Sequence, residues 1–197
     1  MRYDLSVSPV IEPVSEADLV AHCQLGELPD DQLGRARVML TAARQWVENY
    51  LHRQLITATW KLYLDGFPAE IAIRDKLPVA TISSVAYTDD DGDAQTLSSA
   101  LYQTDLVSEN RPARIMPAYG QTWPATRGDS YNVVTVTFTA GYGATRESVP
   151  LGIRHAILML AADWYNNRED TIVGVPSSKL TTGINYCLQP FEWGAYY

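Results

Sequence analysis

The chain has 197 residues, of which 46% are hydrophobic and 19% charged, a size typical of one domain or of one domain with an elaboration. Its 23 acidic residues outnumber its 15 basic residues and give a formal net charge of −8. Proteins that grip DNA or RNA through the phosphates need clustered Lys and Arg, so the charge argues against that class of function. The length is sufficient to bury a substantial core without disulfides.

The two cysteines, Cys23 and Cys187, lie far apart in the chain and form neither a disulfide framework nor a metal-binding motif. The N-terminus lacks the apolar segment of a signal peptide, and the longest apolar run, residues 156–162, is too short to span a bilayer. We therefore expect a soluble protein made in a reducing compartment, with no membrane partner.

The N-terminal third predicts two helices after an extended lead-in over residues 1–14. Ser15 is the expected N-cap of the first, with Asp18 as its capping-box partner and Gly26 at its end. The second begins after Pro29, and spacings of three and four place these residues inside: Leu33, Ala36, Leu40, Ala43, Val47 and Tyr50. The flanks are expected to carry Arg35, Arg37, Arg44 and Glu48. Arginines here, such as Arg37 and Arg44, are candidates for pairing with the acids of a partner.

Residues 55–145 change to a period of two, which predicts antiparallel strands in a meander or small barrel. Strands are expected from residue 56, over residues 79–88 and over residues 131–140. The predicted class is thus α+β, a small helical bundle with an inserted antiparallel β region. The corresponding organisation is a helical core of residues 1–54 and 146–190, the β insertion 55–145 and an aromatic C-terminal tail 191–197.

The acidic run DDDGD, residues 89–93, has the composition of a calcium-binding loop. Counting from Asp89, the positions that need Gly and Glu in an EF-hand hold Ala94 and Ala100. The run therefore predicts a hairpin turn with solvated acids.

The most apolar helix is predicted over residues 149–170, with Ser148 as a possible N-cap and Pro150 in the first turn. One apolar stripe contains Ile153, Ile157, Leu160 and Trp164, and a second contains Leu158, Ala161 and Tyr165. A helix that is apolar on more than one side must be covered on more than one side. We therefore expect a neighbouring subunit or the β region to cover the second stripe. A Gly/Ser/Thr/Pro loop and a short turn are expected after it.

Catalytic and cofactor motifs are lacking in the sequence. His22, His52 and His155 fall on three different predicted helices, and no nucleophile elbow or HExxH is present. Gly141-x-Gly143 lacks the third glycine of a dinucleotide fingerprint. We expect no enzyme, no cofactor and no metal.

Aromatic residues point to interaction surfaces. Trp60 and Trp123 could line a carbohydrate-binding surface, which defines an alternative function: a β-sheet module that binds carbohydrate or protein without catalysis. The last seven residues contain four aromatic side chains, Phe191, Trp193, Tyr196 and Tyr197. Free tails are usually polar, so these residues favour docking onto the chain's own fold or onto a partner.

Several stretches together resemble the head–tail connector (adaptor) proteins of long-tailed phages and related gene transfer agents, in the longer type with a β insertion. They are LTAARQWVENYLHRQLITATWKLYLDGFP, YTDDDGDAQTL, VTVTFTAGYG and VPLGIRHAILMLAADWYNNRE, which run in the family's order within residues 15–190. The N-terminal dozen residues and EWGAYY depart from the pattern.

The resemblance implies a structural protein at the head–tail junction of a virion or gene transfer agent particle, assembled in the host cytoplasm. It implies a ring, twelve-fold, under the portal protein, which extends the DNA channel and joins the stopper or tail-side connector. DNA passes without specific binding. Since C-terminal segments in this family often reach the portal, the candidate portal contacts are Tyr186, Phe191, Trp193, Tyr196 and Tyr197. The candidate subunit contacts are Leu158, Ala161, Tyr165, Arg37 and Arg44.

Overall fold

The structure, a computed structural model, describes residues 1–106, 111–167 and 178–192, with the side chains of residues 178–182 left out. Over these residues the chain contains four α-helices and two antiparallel sheets, which confirms the predicted α+β class. It divides into two compact units. The β unit comprises Met1–Pro9 and Thr57–Tyr142, and the helical unit comprises Val10–Ile56 and Gly143–Tyr197.

The β unit contains eight strands within the described residues. They are β1 (Arg2–Val7), β2 (Ala58–Leu64), β3 (Ile71–Ile73), β4 (Val79–Thr88), β5 (Ala94–Thr96), β6 (Tyr102–Asp105), β7 (Ala113–Pro117) and β8 (Val134–Ala140). A five-stranded sheet has the order β1-β2-β8-β4-β5, and a three-stranded sheet has the order β3-β7-β6. Because β8 lies between β2 and β4, the larger sheet is not a meander, which was one of the two arrangements that the sequence predicted alongside a small barrel.

Strict alternation places the buried apolar side chains of β8 on one face of the larger sheet. Val134, Val136 and Phe138 are fully buried, while the threonines between them lie on the other face. In the register with β2, Phe138 pairs with Trp60 and Val136 with Leu62, so apolar residues face the same core. A central strand needs neighbours on both edges, and β8 has β2 on one side and β4 on the other.

The first nine residues belong to the β unit and not to the helical core in which the sequence placed them. β1 pairs antiparallel with β2, with Tyr3 opposite Leu62. The Tyr3 ring packs edge-to-face against Phe138, with centroids 6.5 Å apart. The sequence predicted an extended conformation for this segment. The sequence of one strand does not indicate which strand it pairs with, so the pairing with β2 is visible only in the folded chain.

The acidic run at residues 89–93 forms the turn between β4 and β5, which confirms the predicted hairpin. The Asp89 carboxylate accepts hydrogen bonds from the Gln95 side chain and from the backbone N–H of Asp93, both at 2.9 Å. The bond from Gln95 is the main cause that lowers the pKa of Asp89. Gly92 has φ +92°, a conformation that glycine adopts without a steric cost.

The helical unit contains α1 (Glu16–His22), α2 (Asp30–Leu51), α3 (Leu151–Asn166) and α4 (Ser178–Leu188). The capping box at the start of α1 is confirmed: Ser15 Oγ accepts from Asp18 N at 3.1 Å, and Asp18 accepts from Ser15 N at 2.8 Å. The Ser15 hydroxyl also donates to the Asp18 carboxylate at 2.6 Å, and this bond, followed by the one from Ser15 N, lowers the pKa of Asp18. The helix ends at His22 and not at Gly26, because Cys23 already serves as its C-cap.

α2 buries most of the predicted apolar face, although Leu33 is only half-buried. Ala36, Leu40, Ala43 and Val47 are buried, but Tyr50 is 41% exposed. Glu48, expected on the outside, is only 8% exposed, and its carboxylate accepts hydrogen bonds from Gln54 Nε2 and Leu55 N. A buried carboxylate needs such donors, and they come from the segment that follows the helix.

α3 is shorter than the sequence predicted, and α4 was missed. α3 begins after Pro150, without a side-chain cap, and Ser148 belongs to a preceding 3-10 turn instead. α4 contains Thr and Gly, which have low helix propensity, so the sequence predicted a loop and a turn here. Packing overrides that propensity, since Ile184 and Leu188 are buried.

No helix among the described residues has the length and apolarity needed to cross a membrane.

We predict that Ser15→Ala lowers the free energy of unfolding by about 1 kcal/mol, because it removes the N-cap of α1. Urea denaturation measures the change. The contribution of Asp18 should be present above the ordinary carboxyl pKa and be lost as the pH falls through its lowered pKa. Ser83→Ala is the matched control, because Ser83 is exposed on β4. Equal stabilities of the two variants would contradict the capping role.

A pair of glycine substitutions should have opposite effects. Gly34 lies inside α2 with open space where a Cβ would sit, so Gly34→Ala should stabilise the protein by about 0.5–1 kcal/mol. A Cβ on Gly143 would lie 2.6 Å from Ser148 Cβ, so Gly143→Ala should destabilise it by about 1–3 kcal/mol. Thermal unfolding measures both. A stabilised Gly143→Ala would show that the Ser148 backbone moves at no cost.

Candidate functional site

The two apolar stripes of α3 differ in their exposure. Ile153 and Ile157 of the first stripe are at most 1% exposed, Leu160 is 7% exposed, and Trp164 is half-buried. In the second stripe Ala161 is fully buried, whereas Leu158 and Tyr165 keep part of their surface exposed. Ala161 therefore has no surface left to lose to another subunit. The accessible part of the second stripe consists of Leu158 and Tyr165.

Tyr165 already has a partner in α2. Arg35 donates a hydrogen bond from Nη2 to the Tyr165 carbonyl at 2.6 Å, and its guanidinium lies 4.9 Å from the centroid of the Tyr165 ring. These two contacts join the start of α2 to the end of α3. One face of the half-buried Tyr165 ring contacts Arg35, and the Tyr165 hydroxyl donates to Gln32 Oε1 at 3.4 Å.

The two candidate interface arginines lie in different environments. The Arg37 side chain is 68% exposed, and its Nε contacts Glu16 at 2.6 Å. The Arg44 side chain is only 14% exposed and bridges two carboxylates, with Glu12 at 2.7 Å and Glu48 one helical turn away. Thr41 also donates to Glu12, at 3.0 Å. Arg44 is thus committed within its own unit, while Arg37 is accessible to a partner.

The candidate portal contacts are partly described. Tyr186 on α4 is 73% exposed, and Phe191 is half-buried. The Phe191 ring lies against Gly152 of α3, where a Cβ would come within 3.1 Å of a ring carbon. Trp193, Tyr196 and Tyr197 lie outside the described residues. The described part of this set therefore combines one accessible aromatic side chain with one that anchors the segment to α3.

An aromatic pair on α2 was not recognised from the sequence. Trp46 and Tyr50 stack with centroids 5.1 Å apart and planes 8° from parallel, and they are 40% and 41% exposed. The Tyr50 hydroxyl donates to Glu192 Oε1 at 2.6 Å. A spacing of four places Trp46 and Tyr50 side by side on a helix, so the sequence contains a signal for the pair. Tyr50 also fits the spacing of the buried stripe, and the sequence analysis placed it there.

A groove of about 400 Å³ lies beside two of the histidines. The rings of His22 and His155, placed on separate helices by the sequence, approach edge-to-face with centroids 5.8 Å apart. Asp163 also lines the groove and accepts a hydrogen bond from Asn167 Nδ2 at 2.7 Å. Among the described residues, no group of three or more His, Cys, Asp or Glu side chains is placed to hold a metal ion.

The two tryptophans of the alternative function each have one ring face occupied. Lys76 Nζ lies 5.0 Å from the centroid of the Trp60 ring, which packs against the core of the β unit. Trp123 stacks on Phe67 with centroids 4.7 Å apart and planes 9° from parallel. Trp123 Nε1 is buried, and no residue that the structure describes forms a hydrogen bond with it. Both rings thus contribute to packing and do not form a free aromatic platform.

No family model matches the chain, and no curated protein is similar to it at a significant level. Solved structures do match. A chain in the neck of an empty GTA particle, computed with C6 symmetry, has a TM-score of 0.76 at 23% identity, over 95% of each chain. A chain in the virion of a native gene transfer agent (GTA) particle has a TM-score of 0.74 at 23% identity, over 94% of each chain.

A third match is to a chain in the neck of a native GTA particle computed with C12 symmetry. It has a TM-score of 0.71 at 22% identity and covers 98% of this chain and 95% of that chain. These TM-scores establish similarity of fold. The chain therefore has, over nearly its whole length, the fold of a component of gene transfer agent necks, and the resemblance found in the sequence is confirmed at that level.

Proposed function

We propose that the chain is a structural head–tail adaptor that forms a ring under the portal, extends the DNA channel and joins the capsid to the stopper or tail. The observation that carries the proposal is the likeness in fold, over 95% of both chains, to a chain in the neck of a GTA particle. The proposed location is the head–tail junction of a virion or gene transfer agent particle, reached after assembly in the host cytoplasm. The role is structural and includes no catalytic step.

The proposed assembly is a twelve-fold ring of identical subunits. A neck that contains a chain of this fold was computed with C12 symmetry, and another was computed with C6 symmetry, which divides twelve. In a ring each subunit presents two different surfaces to its two neighbours. Candidate contacts are the accessible Leu158, Tyr165 and Arg37. Ala161 and Arg44 support these surfaces from inside the helical unit, where both are buried or nearly so.

The charge of the chain suits a channel wall past which DNA moves without specific binding. The chain has an excess of eight acidic residues. Several of its cations are also paired within their units: Arg37 with Glu16, Arg44 with Glu12 and Arg114 with Asp105. Paired cations attract phosphates less strongly, so strong retention of DNA is not expected.

The proposed portal-facing surface is the C-terminal end of the helical unit. Tyr186 supplies an exposed aromatic side chain, and Phe191 leads into the segment that contains Trp193, Tyr196 and Tyr197. Buried aromatic side chains provide much of the binding energy of protein interfaces. Residues 178–188 form α4 with Leu188 fully buried, so a test of docking should alter only the residues beyond it.

Electron microscopy of the protein mixed with the portal of the same particle tests the proposal. We expect a twelve-fold ring bound to one face of the portal. The protein alone is a poor test, since ring formation could require the portal as a template. A saturating mixture in which the portal carries no added density would contradict the adaptor function.

Substitutions of Arg37 and Arg44 should distinguish an effect on ring assembly from an effect on folding. Arg37→Ala should change the free energy of unfolding by less than about 0.5 kcal/mol, because its ion pair is exposed, yet reduce the fraction of portals that carry a ring. Arg44→Met should lower the stability by about 3 kcal/mol, because it leaves Glu12 and Glu48 without their shared cation. Thermal unfolding and particle counting measure the two effects. Full ring occupancy with Arg37→Ala would remove Arg37 from the interface.

A further inference from the structure

An uncharged row of side chains runs along the accessible side of α2. Its members lie at spacings of four and form what we term the α2 ridge: Gly34, Val38, Ala42, Trp46 and Tyr50. Residues four apart on a helix lie one above the other, so the ridge is continuous and about 24 Å long at 1.5 Å per residue. Val38 is 60% exposed, and Trp46 and Tyr50 are 40% and 41% exposed. Gly34 is exposed, and Ala42 is half-buried.

The charged residues of α2 are engaged away from the ridge. After Asp31 they are Arg35, Arg37, Arg44 and Glu48. The three arginines contact residues outside α2, namely Tyr165, Glu16 and Glu12 in that order. Glu48, the only acid between residues 32 and 51, is 8% exposed. The helix therefore inverts the usual amphipathic pattern, because large apolar side chains meet solvent while its carboxylate lies inside.

The composition and shape of the ridge suit a protein interface. The central parts of interfaces are poor in charge and rich in Trp and Tyr. Trp46 and Tyr50 are already stacked on each other, so little side-chain freedom remains to be lost on binding. Gly34 and Ala42 leave notches beside Val38, and such rows of residues four apart pack into the grooves of a facing helix. α2 carries three large apolar residues in the exposed class, whereas α3 carries Leu151 and the described part of α4 carries Tyr186.

We propose that the α2 ridge packs against a second copy of this chain in the ring. This inference rests on the proposed function, in which identical subunits meet around the portal. Each copy has a formal net charge of −8, so two copies repel each other unless the surfaces that meet are uncharged or basic. The ridge is such a surface, because no exposed acid lies between residues 32 and 51 of α2.

The ridge is also continuous with a ring contact proposed above. Tyr165 of α3 lies against the first turns of α2, where its hydroxyl donates to Gln32 Oε1 and its ring contacts Arg35. Gln32 and Arg35 flank Gly34, the first residue of the ridge. Tyr165 and the ridge thus belong to one side of the helical unit, and a neighbouring copy that covers one reaches the other.

Cross-linking from the ridge identifies what covers it. Val38 is replaced by the photo-reactive benzoylphenylalanine, the protein is bound to the portal of the same particle, and the complexes are irradiated. We expect covalent dimers of this chain. Cross-links from position 38 to the portal, or an absence of dimers from complexes that carry rings, would overturn the inference.

A charge placed on the ridge tests its contribution to assembly. Val38→Glu should reduce the number of portals that carry complete rings by at least about tenfold, because each junction would have to bury an added carboxylate. Thermal unfolding of the unbound protein should be unchanged, since Val38 is exposed and Glu favours a helix more than Val does.

The matched control is Val10→Glu, the same substitution at a 90% exposed valine outside α2, which should leave ring formation unchanged. Wild-type ring numbers with Val38→Glu, or an equal loss with both variants, would overturn the inference. The adaptor function would still be supported in either case by rings of the wild-type protein. Absence of rings for the wild-type protein would instead overturn the proposed function, and the role of the ridge with it.

Discussion

Burial of one face of α2 against α3 is the constraint on which the helical unit depends. Ala36, Ala43 and Val47 of α2 and Ile153 and Ile157 of α3 are at most 1% exposed. The small alanines allow two helices to approach closely, and the branched residues fill the space between them. With this pair fixed, the polar groups at its two ends are brought to their partners: Arg35 to Tyr165 at one, and Tyr50 and Arg53 to residues 191 and 192 at the other.

Glu48 shows how this constraint extends beyond the helices. Its carboxylate lies in the buried end of α2 and accepts hydrogen bonds from Leu55 N and Gln54 Nε2, while Arg44 balances its charge. An uncompensated carboxylate at this depth would cost several kcal/mol, so the segment after α2 is held in the one path that supplies these donors. Arg53 lies on that path and gains its access to Phe191 from it.

The sequence was informative wherever a signal is local. Ser15 and Asp18 lie three residues apart, so their reciprocal bonds depend only on the first turn of α1, and the capping box was found. The acidic turn between β4 and β5 was found for the same reason. Alternation over residues 134–140 identified a strand and its buried face, but not its place between β2 and β4, because one strand does not specify its neighbours.

The predictions that were wrong concern features that depend on contacts between distant parts of the chain. Tyr50 fits the apolar stripe of α2 by spacing, yet in the last turn Leu51 is the buried residue, and the Tyr50 hydroxyl meets Glu192 at the surface. α4 contains Gly183 and two threonines that disfavour a helix, and packing against α3 through Met159 compensates for them. Only the folded structure shows which candidate interface residues are exposed and which are buried. Ala161 and Leu158 share a stripe, but their exposure depends on what covers each position.

By itself the sequence determined the α+β class, the capping box of α1, the apolar faces of α2 and α3 and the resemblance to head–tail adaptors, because periodicity, caps and turns are properties of neighbouring residues. The tertiary structure alone decided that residues 1–9 join the sheet, that Glu48 and Arg53 are buried and that α2 holds the start of the C-terminal segment. Each of these depends on contacts between residues far apart in the chain, such as Tyr50 and Glu192, for which no local pattern exists.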